Sequence, residues 1–528
     1  MPRIWSNPEF IRHRRAELRA TRAITVAAVV LLLCVLIGLA CWSSQQHQLL
    51  NLQQAAEEYG TDAWKQRLET LQQNFGRHTS LMFFRWLVGL QGVALTFWTL
   101  FSCAQSVSGE RDRKTWDFQR ITRLTSAEML IGKLLGEPVL VYFAVLCAAP
   151  VTLISGLAGG LSLGAVLSIF VFLIAISMFL GLGGMWLSTL LESRARAVGL
   201  IGALALYGVT LGFYNFRDSG LPGLAALSPL TGIMDAVGER EGLKILPVLF
   251  NHPVPWLAMT LLLCGSFGAW LWLMLVRNLK RDYPEIRPLS RWQAVGCAAF
   301  LNFLIYALLS PVHTVGFEGR VGWFDDGKSV ALFAVAMNGL FLFLMGLATL
   351  TPQERLKVWR RTANKSVLFA DDGLPWPWLG ISAVVAYGLM VWGLLAWNHS
   401  LPLESTTLQA AGIRLLLVLV FVTRDVLFLQ WCMLTRVRQP VVKGVLFLAL
   451  YYLAAAVATG LAAVTSEHAA RFVLAVLTPL QVFDPEIRGI AFPAMTYAGF
   501  LLQIGVIGVV LMAINSRLMR PVRGGAAT

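Results

Sequence analysis

Residues 108–136 read SGERDRKTWDFQRITRLTSAEMLIGKLLG, a charged strip set between two long apolar runs, FFRWLVGLQGVALTFWTLFSCA before it and VLVYFAVLCAAPVTLISGL after it. A charged side chain at the centre of a bilayer costs several kcal/mol, so the strip belongs in water and its flanks in lipid. The whole chain supports that contrast. Of 528 residues, 57% are hydrophobic and only 14% charged, and the mean hydropathy is +0.65. A soluble domain carries about a quarter of its residues charged. The composition is that of a membrane protein.

A hydrocarbon core about 30 Å thick takes roughly 20 apolar residues to cross as a helix, since lipid offers no partner for backbone polar groups. Counted this way, the first half holds six runs: Ile24 to Cys41, Leu81 to Cys103, Pro138 to Leu157, Leu163 to Leu190, Val198 to Phe213 and Pro255 to Val276. Six more follow: Trp292 to Leu309, Ser329 to Leu350, Trp378 to Trp397, Leu408 to Leu434, Val442 to Val464 and Phe492 to Ile514. The expected fold is all-α and polytopic, with twelve transmembrane helices. Lys and Arg gather in alternate loops, which sets both termini in the cytoplasm. That bias also accounts for the net charge of +14 without nucleic acid, whose binders collect basic residues on one soluble face. The first run is long, follows polar residues and ends in no convincing cleavage pattern, so it reads as a span and not as a removable signal.

Landmarks recur between the halves. ERDRKTW, with Lys114 and Trp116, is answered by ERLKVW, with Lys357 and Trp359. LESRAR, ending at Arg196, is answered by LTRVR, ending at Arg438, and LSPL (227–230) by LTPL (477–480). The offsets are nearly equal, and an even number of spans per half gives both the same orientation, a parallel repeat. The expected organisation is a cytoplasmic amphipathic segment at 1–22, a first six-span half at 23–281 and a second at 282–528.

Within the opening strip, Trp116 and Arg120 lie one turn apart on a short amphipathic helix. Thr125 or Ser126 then caps a second helix starting at Ala127, with Glu128 in its first turn. The order ER-x-R-x-T followed by S-x-x-E-x-L-x-GK-x-L, directly after a second span, resembles the signature of type-two ATP-binding-cassette (ABC-2-like) exporter permeases, here in a tandem twelve-span form. The N-terminal NPEFIRHRRAELR is similar to that family's elbow helix, which lies along the inner leaflet. The resemblance implies a coupling segment at 107–136, in which Glu110, Arg111, Arg113, Lys114, Trp116, Glu128 and Lys133 engage a cytoplasmic ATP-binding-cassette ATPase subunit. It implies a degenerate second coupling segment at 351–377 with Glu354, Arg355, Lys357 and Trp359, which lacks the GK portion. It further implies two ATPase copies, export, and a place in a bacterial-type inner (plasma) membrane.

The chain contains no G-x-x-x-x-G-K-[ST] phosphate loop, and Gly132–Lys133 is followed by Leu. ATP and its Mg are therefore expected on the separate subunit, with no cofactor bound by this chain and no catalytic or metal-binding residue. The seven cysteines have no C-x-x-C spacing, and the histidines, His47, His78, His252, His313, His399 and His468 among them, have no metal-ligand spacing. Residues 43–80 carry two apolar stripes, Leu49, Leu52, Ala56, Tyr59 and Trp64, Leu68, Leu71, Phe75, split by Gly60. They predict an outer helical hairpin, either a spacer that continues the first two spans or a dock for an outer partner or emerging substrate. Arg424 and Asp425 fall inside the tenth span; adjacent in sequence, they project about 100° apart and are expected to pair chiefly with other groups. An ion-coupled secondary transporter is the main rival reading, disfavoured because few other ionisable residues lie within spans. A membrane enzyme finds no clustered His, Asp and Glu to support it.

Overall fold

The computed structural model describes residues 7–59, 62–121, 123–190, 196–218, 221–232, 246–250, 252–281, 289–309, 327–362, 371–396, 405–435, 440–479 and 494–519. Gly60, Leu191 to Ala195 of LESRAR, Arg436 to Arg438 of LTRVR, Leu480, His313 and His399 lie outside them. Two compact units divide the chain, Met1–Ile286 and Arg287–Thr528. Helix dominates both; the β structure among the described residues is a two-residue pairing, Val248–Leu249 (β1) with His252–Pro253 (β2).

In the first unit, α1 (Pro8–Glu17) precedes α2 (Ala20–Tyr59), a single helix of 40 residues. At 1.5 Å per residue α2 is about 60 Å long, twice the thickness of a hydrocarbon core. The first stripe of the expected hairpin is thus the far half of the first span's own helix. After it, α3 (Asp62–Gln73) turns back along α2, and α4 (Phe75–Asp112) returns through the bundle. Leu52 and Ala56 are covered, whereas Tyr59 is 62% exposed and no residue of α3 is fully buried. Two short helices follow, α5 (Trp116–Arg120) and α6 (Ser126–Gly136), then α7 (Val139–Ala158), α8 (Leu163–Leu190), α9 (Arg196–Gly212) and α10 (Trp256–Asn278). The core runs along α4 and α8. A Cβ on Gly184 would come 2.5 Å from the Leu100 carbonyl, so the glycine is what lets the two backbones meet. Polar side chains between these helices bond one another, as Ser177 Oγ does to Thr99 Oγ1 at 3.0 Å.

The second unit holds α11 (Arg291–Leu308), α12 (Gly327–Ala348), the short α13 (Gln353–Thr362), α14 (Trp376–Ala396), α15 (Ser405–Met433), α16 (Pro440–Thr465), α17 (Glu467–Leu477) and α18 (Ala494–Met519). Taken separately, the units share a packing scheme. The fourth long helix, α8 or α15, lies against the second (α4 or α12) and the sixth (α10 or α18), and the first lies against the second and third.

Each of the twelve apolar runs is helical over most of its described residues. Among the described residues, nine helices are long and apolar enough to cross a membrane. The helices Arg196–Gly212, Arg291–Leu308 and Ser405–Met433 stand outside those nine. Along α2, α16 and α18 most large apolar side chains are exposed, Leu32, Leu453 and Leu501 among them. Bare leucines along a whole helix are what lipid contact requires and water penalises.

Candidate coupling site

Asn7, Pro8 and Glu9 begin the site. Pro8 occupies the first turn of α1, where its missing N–H costs nothing, and the Asn7 side-chain oxygen accepts from the Glu9 N–H at 3.0 Å. The same Asn7 amide reaches across the fold and donates to the Glu128 carbonyl in α6 at 2.6 Å. At the start of α6, Thr125 Oγ1 accepts from the Glu128 N–H while the Glu128 carboxylate accepts from the Thr125 N–H, a closed capping box. Thr125, not Ser126, is the cap, and the helix starts at Ser126. Those Thr125 hydrogen bonds hold the Glu128 carboxyl below the ordinary glutamate range.

Helix α1 then lies on α6. A Cβ on Gly132 would meet the Glu9 Cβ at 2.7 Å, and one on Gly136 the His13 Cβ at 2.9 Å. Two glycines four apart clear one face of α6, the arrangement that lets helix backbones approach. Between the glycines, Lys133 points inward, wholly removed from solvent. Its Nζ donates to Glu110 Oε2 at 2.6 Å and to Glu9 Oε1 at 3.2 Å. Glu110, in the last turn of α4, also accepts at Oε1 from Arg12 Nη2 and from Gln119 Nε2, both at 2.6 Å. Four segments, α1, α4, α5 and α6, converge on this one carboxylate.

Burial works to raise the Glu9 carboxyl, but the His13 hydrogen bond and the charges of Lys133 and Arg12 outweigh it and hold it at about 2. The Arg12 guanidinium is raised: burial opposes its charge, and the Glu110 hydrogen bond with the nearby carboxylates more than restores it. Burial pushes Glu137, 3.7 Å from His13, upward, with His13 and Lys133 opposing. Glu9, His13 and Glu110 bring metal-ligand atoms within 4.8 Å of one another, yet Arg12 and Lys133 already occupy the carboxylate oxygens.

Trp116 closes the underside. It is buried among Cys103, Val107, Met129 and Leu275, with Lys133 Nζ 5.7 Å and Arg111 Cζ 5.9 Å from its ring. Arg111 also donates to the Thr189 carbonyl at the end of α8. Of the residues expected to engage an ATPase, Glu110, Trp116 and Lys133 therefore face inward and bind the platform together, and Arg111 and Glu128 are half-buried in it. Arg113 and Lys114 face outward. Lys114 sits at φ +58° in the tight turn between α4 and α5, a left-handed position that side chains other than glycine occupy at a cost of about 1–2 kcal/mol. The short α5 presents Phe118, 73% exposed, and Ile121 beyond it is 80% exposed. Nothing in the sequence separates these two apolar residues from ones that the platform covers, as it covers Trp116.

In the second unit, α13 buries Leu356 completely and half-buries Trp359, against Leu427, Leu434 and Ile514. Glu354 is exposed, Arg355 and Lys357 are partly covered, and Val358 is 59% exposed. Near it the Asp371 carboxylate accepts from the Arg291 N–H at 2.8 Å. The buried Arg291 guanidinium donates to the carbonyls of Thr349, Asp371, Gly373 and Leu374 and to Thr351 Oγ1. Gln430 adds a paired bond to the Thr351 backbone. Arg424 and Asp425 are buried in α15 and bond both each other, Arg424 Nη2 lying 2.6 Å from Asp425 Oδ1, and the other groups expected of them: Arg424 reaches Tyr451, Tyr452 and Gln503, and Asp425 accepts from Tyr452. The arm of arginine is long enough to fold back over its neighbour.

The elbow, second span, capped GK helix and the bundle behind them together form one recognisable domain. Residues 10–238 match the family model of the ABC-2 type transporter. The ABC-2 match begins within α1 and takes in the platform and the helices up to the segment after α9, all inside the first unit. It likens this region, less than half of the chain, to the membrane component of a transporter. No curated protein and no solved structure matches the chain.

Proposed function

We propose that the chain is the permease of an ATP-binding-cassette exporter, with two six-span halves forming the pathway and the α5–α6 platform seated on a separate ATPase subunit. Support comes first from the platform's construction. A push delivered to α5 reaches α4, α6 and α1 through one buried ion cluster, and Phe118 and Ile121 stand out beside the cations Arg113, Lys114 and Arg123. An apolar knob with a basic rim suits a soluble subunit with an apolar groove and an acidic edge. In the second half, α13 with Val358 is the corresponding contact, so two ATPase copies are engaged, one below each half. ATP and Mg belong to those subunits, and the platform faces the cytoplasm with both termini. The shared packing scheme of the two units supports twelve spans arranged as a repeat.

Co-purification tests the reading. A soluble ATPase should be retained in stoichiometric amount, and its hydrolysis should rise on reconstitution with the chain. Ion-gradient-driven transport by the chain alone would replace the proposal with a secondary transporter.

A further inference from the structure

Helix α17 runs back along α16 into the second unit. From Tyr451 to the end of α16 at Thr465 the rise is about 21 Å, and the 11 residues of α17 return about 16 Å of it. The C-terminus of α17 therefore ends near the middle of the span, beside Tyr451 and Gln503. The last carbonyls of a helix have no partner within it, and in lipid each must find one. Leu477 O accepts from Tyr451 OH at 2.7 Å and Val476 O from Gln503 Nε2 at 2.6 Å. Both donors are in turn held by Arg424, whose Nη1 donates to Tyr451 OH at 3.1 Å and to Gln503 Oε1 at 2.8 Å.

The relay has a direction. Arginine can only donate, the carbonyls of α17 can only accept, and each intermediate group accepts on one side and donates on the other. Asp425 holds the guanidinium at Nε and receives Tyr452 OH at 2.5 Å, so the charge is neutralised within the cluster. The Arg424 cation also faces the negative end of the α17 dipole. No comparable ion pair stands at the corresponding place in the first unit, around Leu182 and Gly183, among the described residues.

We infer that Arg424 is a positioning residue: through Tyr451 and Gln503 it holds α17 folded back into the bundle, and release of that hold is a step of the transport cycle. Its release as a step of transport, and the place of α17 at the end opposite the ATPase, rest on the function proposed above; the hold itself does not.

Hydrogen–deuterium exchange of the full chain in nanodiscs tests it. Gln503→Glu keeps, and strengthens, the acceptor facing Arg424 but loses the donor to Val476; Tyr451→Phe removes only the hydroxyl. Each should speed exchange across 467–477 about tenfold, with α14 unchanged, and Arg424→Lys should fall between wild type and Arg424→Met. Should Arg424→Met fail to insert, the first two variants carry the test. Wild-type protection of α17 in both, or equal loosening of α15, α16 and α18, would overturn the inference. Adding the ATPase with a non-hydrolysable ATP analogue should speed α17 exchange in the wild type and not in Gln503→Glu. If α17 responds to the variants but never to nucleotide, the hold is static and its part in the cycle is refuted.

Discussion

Lys133 Nζ lies 2.6 Å from Glu110 Oε2 with no solvent at the ammonium, so the buried charge is tolerated because carboxylates meet it, Glu110 nearest and Glu9 behind at 3.2 Å. Removing one member of a buried pair leaves its partner uncompensated, at a cost of about 3–5 kcal/mol, whereas replacing both with apolar groups is often neutral. Glu110→Ala should therefore lower thermal stability sharply, and Glu110→Leu with Lys133→Met should recover most of the loss. A double-mutant cycle by thermal unfolding in nanodiscs checks this; additive losses would show that the pair is not coupled.

Gly132 is the point of closest approach between α1 and α6. Gly132→Ala should push α1 away and cost about 1–3 kcal/mol, the usual range for overfilling a packed site. A spin-label distance between exposed positions on α1 and α6 should lengthen. Ala at Gly109, where a Cβ meets nothing within 4 Å, is the matched control.

Acid should undo the same contact. The Glu9 carboxyl is held at about 2 in the folded protein against an ordinary 4.5, so its contribution is complete above about 4.5 and disappears as pH falls toward 2. Exchange protection of residues 8–17 should fall over that window. Glu9→Gln should remove the pH dependence while leaving α1 less protected at neutral pH.

Phe118 and Ile121 touch little of their own chain. Phe118→Ser with Ile121→Ser should leave stability within about 0.5 kcal/mol, as surface changes do. ATPase binding should weaken tenfold or more, since exposed apolar side chains at an interface centre carry much of its energy. Undiminished ATPase stimulation in that variant would remove α5 from the docking surface.

Much of this architecture was legible in the sequence, for definite reasons. Runs such as Leu163 to Leu190 have to be helical because nothing else satisfies a backbone in lipid. Thr125 and Glu128 announce a helix start by side-chain chemistry alone, three residues apart. What sequence does not carry is which way a charged residue faces after the chain turns. Glu110 and Lys133 read as surface charges, since their partners Glu9 and Arg12 lie about a hundred residues away and only α1 packing on α6 brings them together. Likewise the fold-back of Arg424 on Asp425 depends on a rotamer, and rotamers follow from the tyrosines of another helix. The length of α2 was hidden because hydropathy stops at Cys41 while helix-forming residues continue to Tyr59.

Arg291 gives the second unit a different temperament from the first. Its guanidinium is anchored on peptide oxygens and a hydroxyl, none of which gains a proton in mild acid, and itself never lets its own proton go, while the Arg291 N–H donates to the Asp371 carboxylate. The first unit is fastened in part by the Glu9 carboxylate, which takes a proton only as pH falls from about 4.5 toward 2. Acid strong enough to neutralise Glu9 therefore slackens the grip of α1 on α6 in the first unit, while the peptide-oxygen grip of Arg291 in the second is untouched.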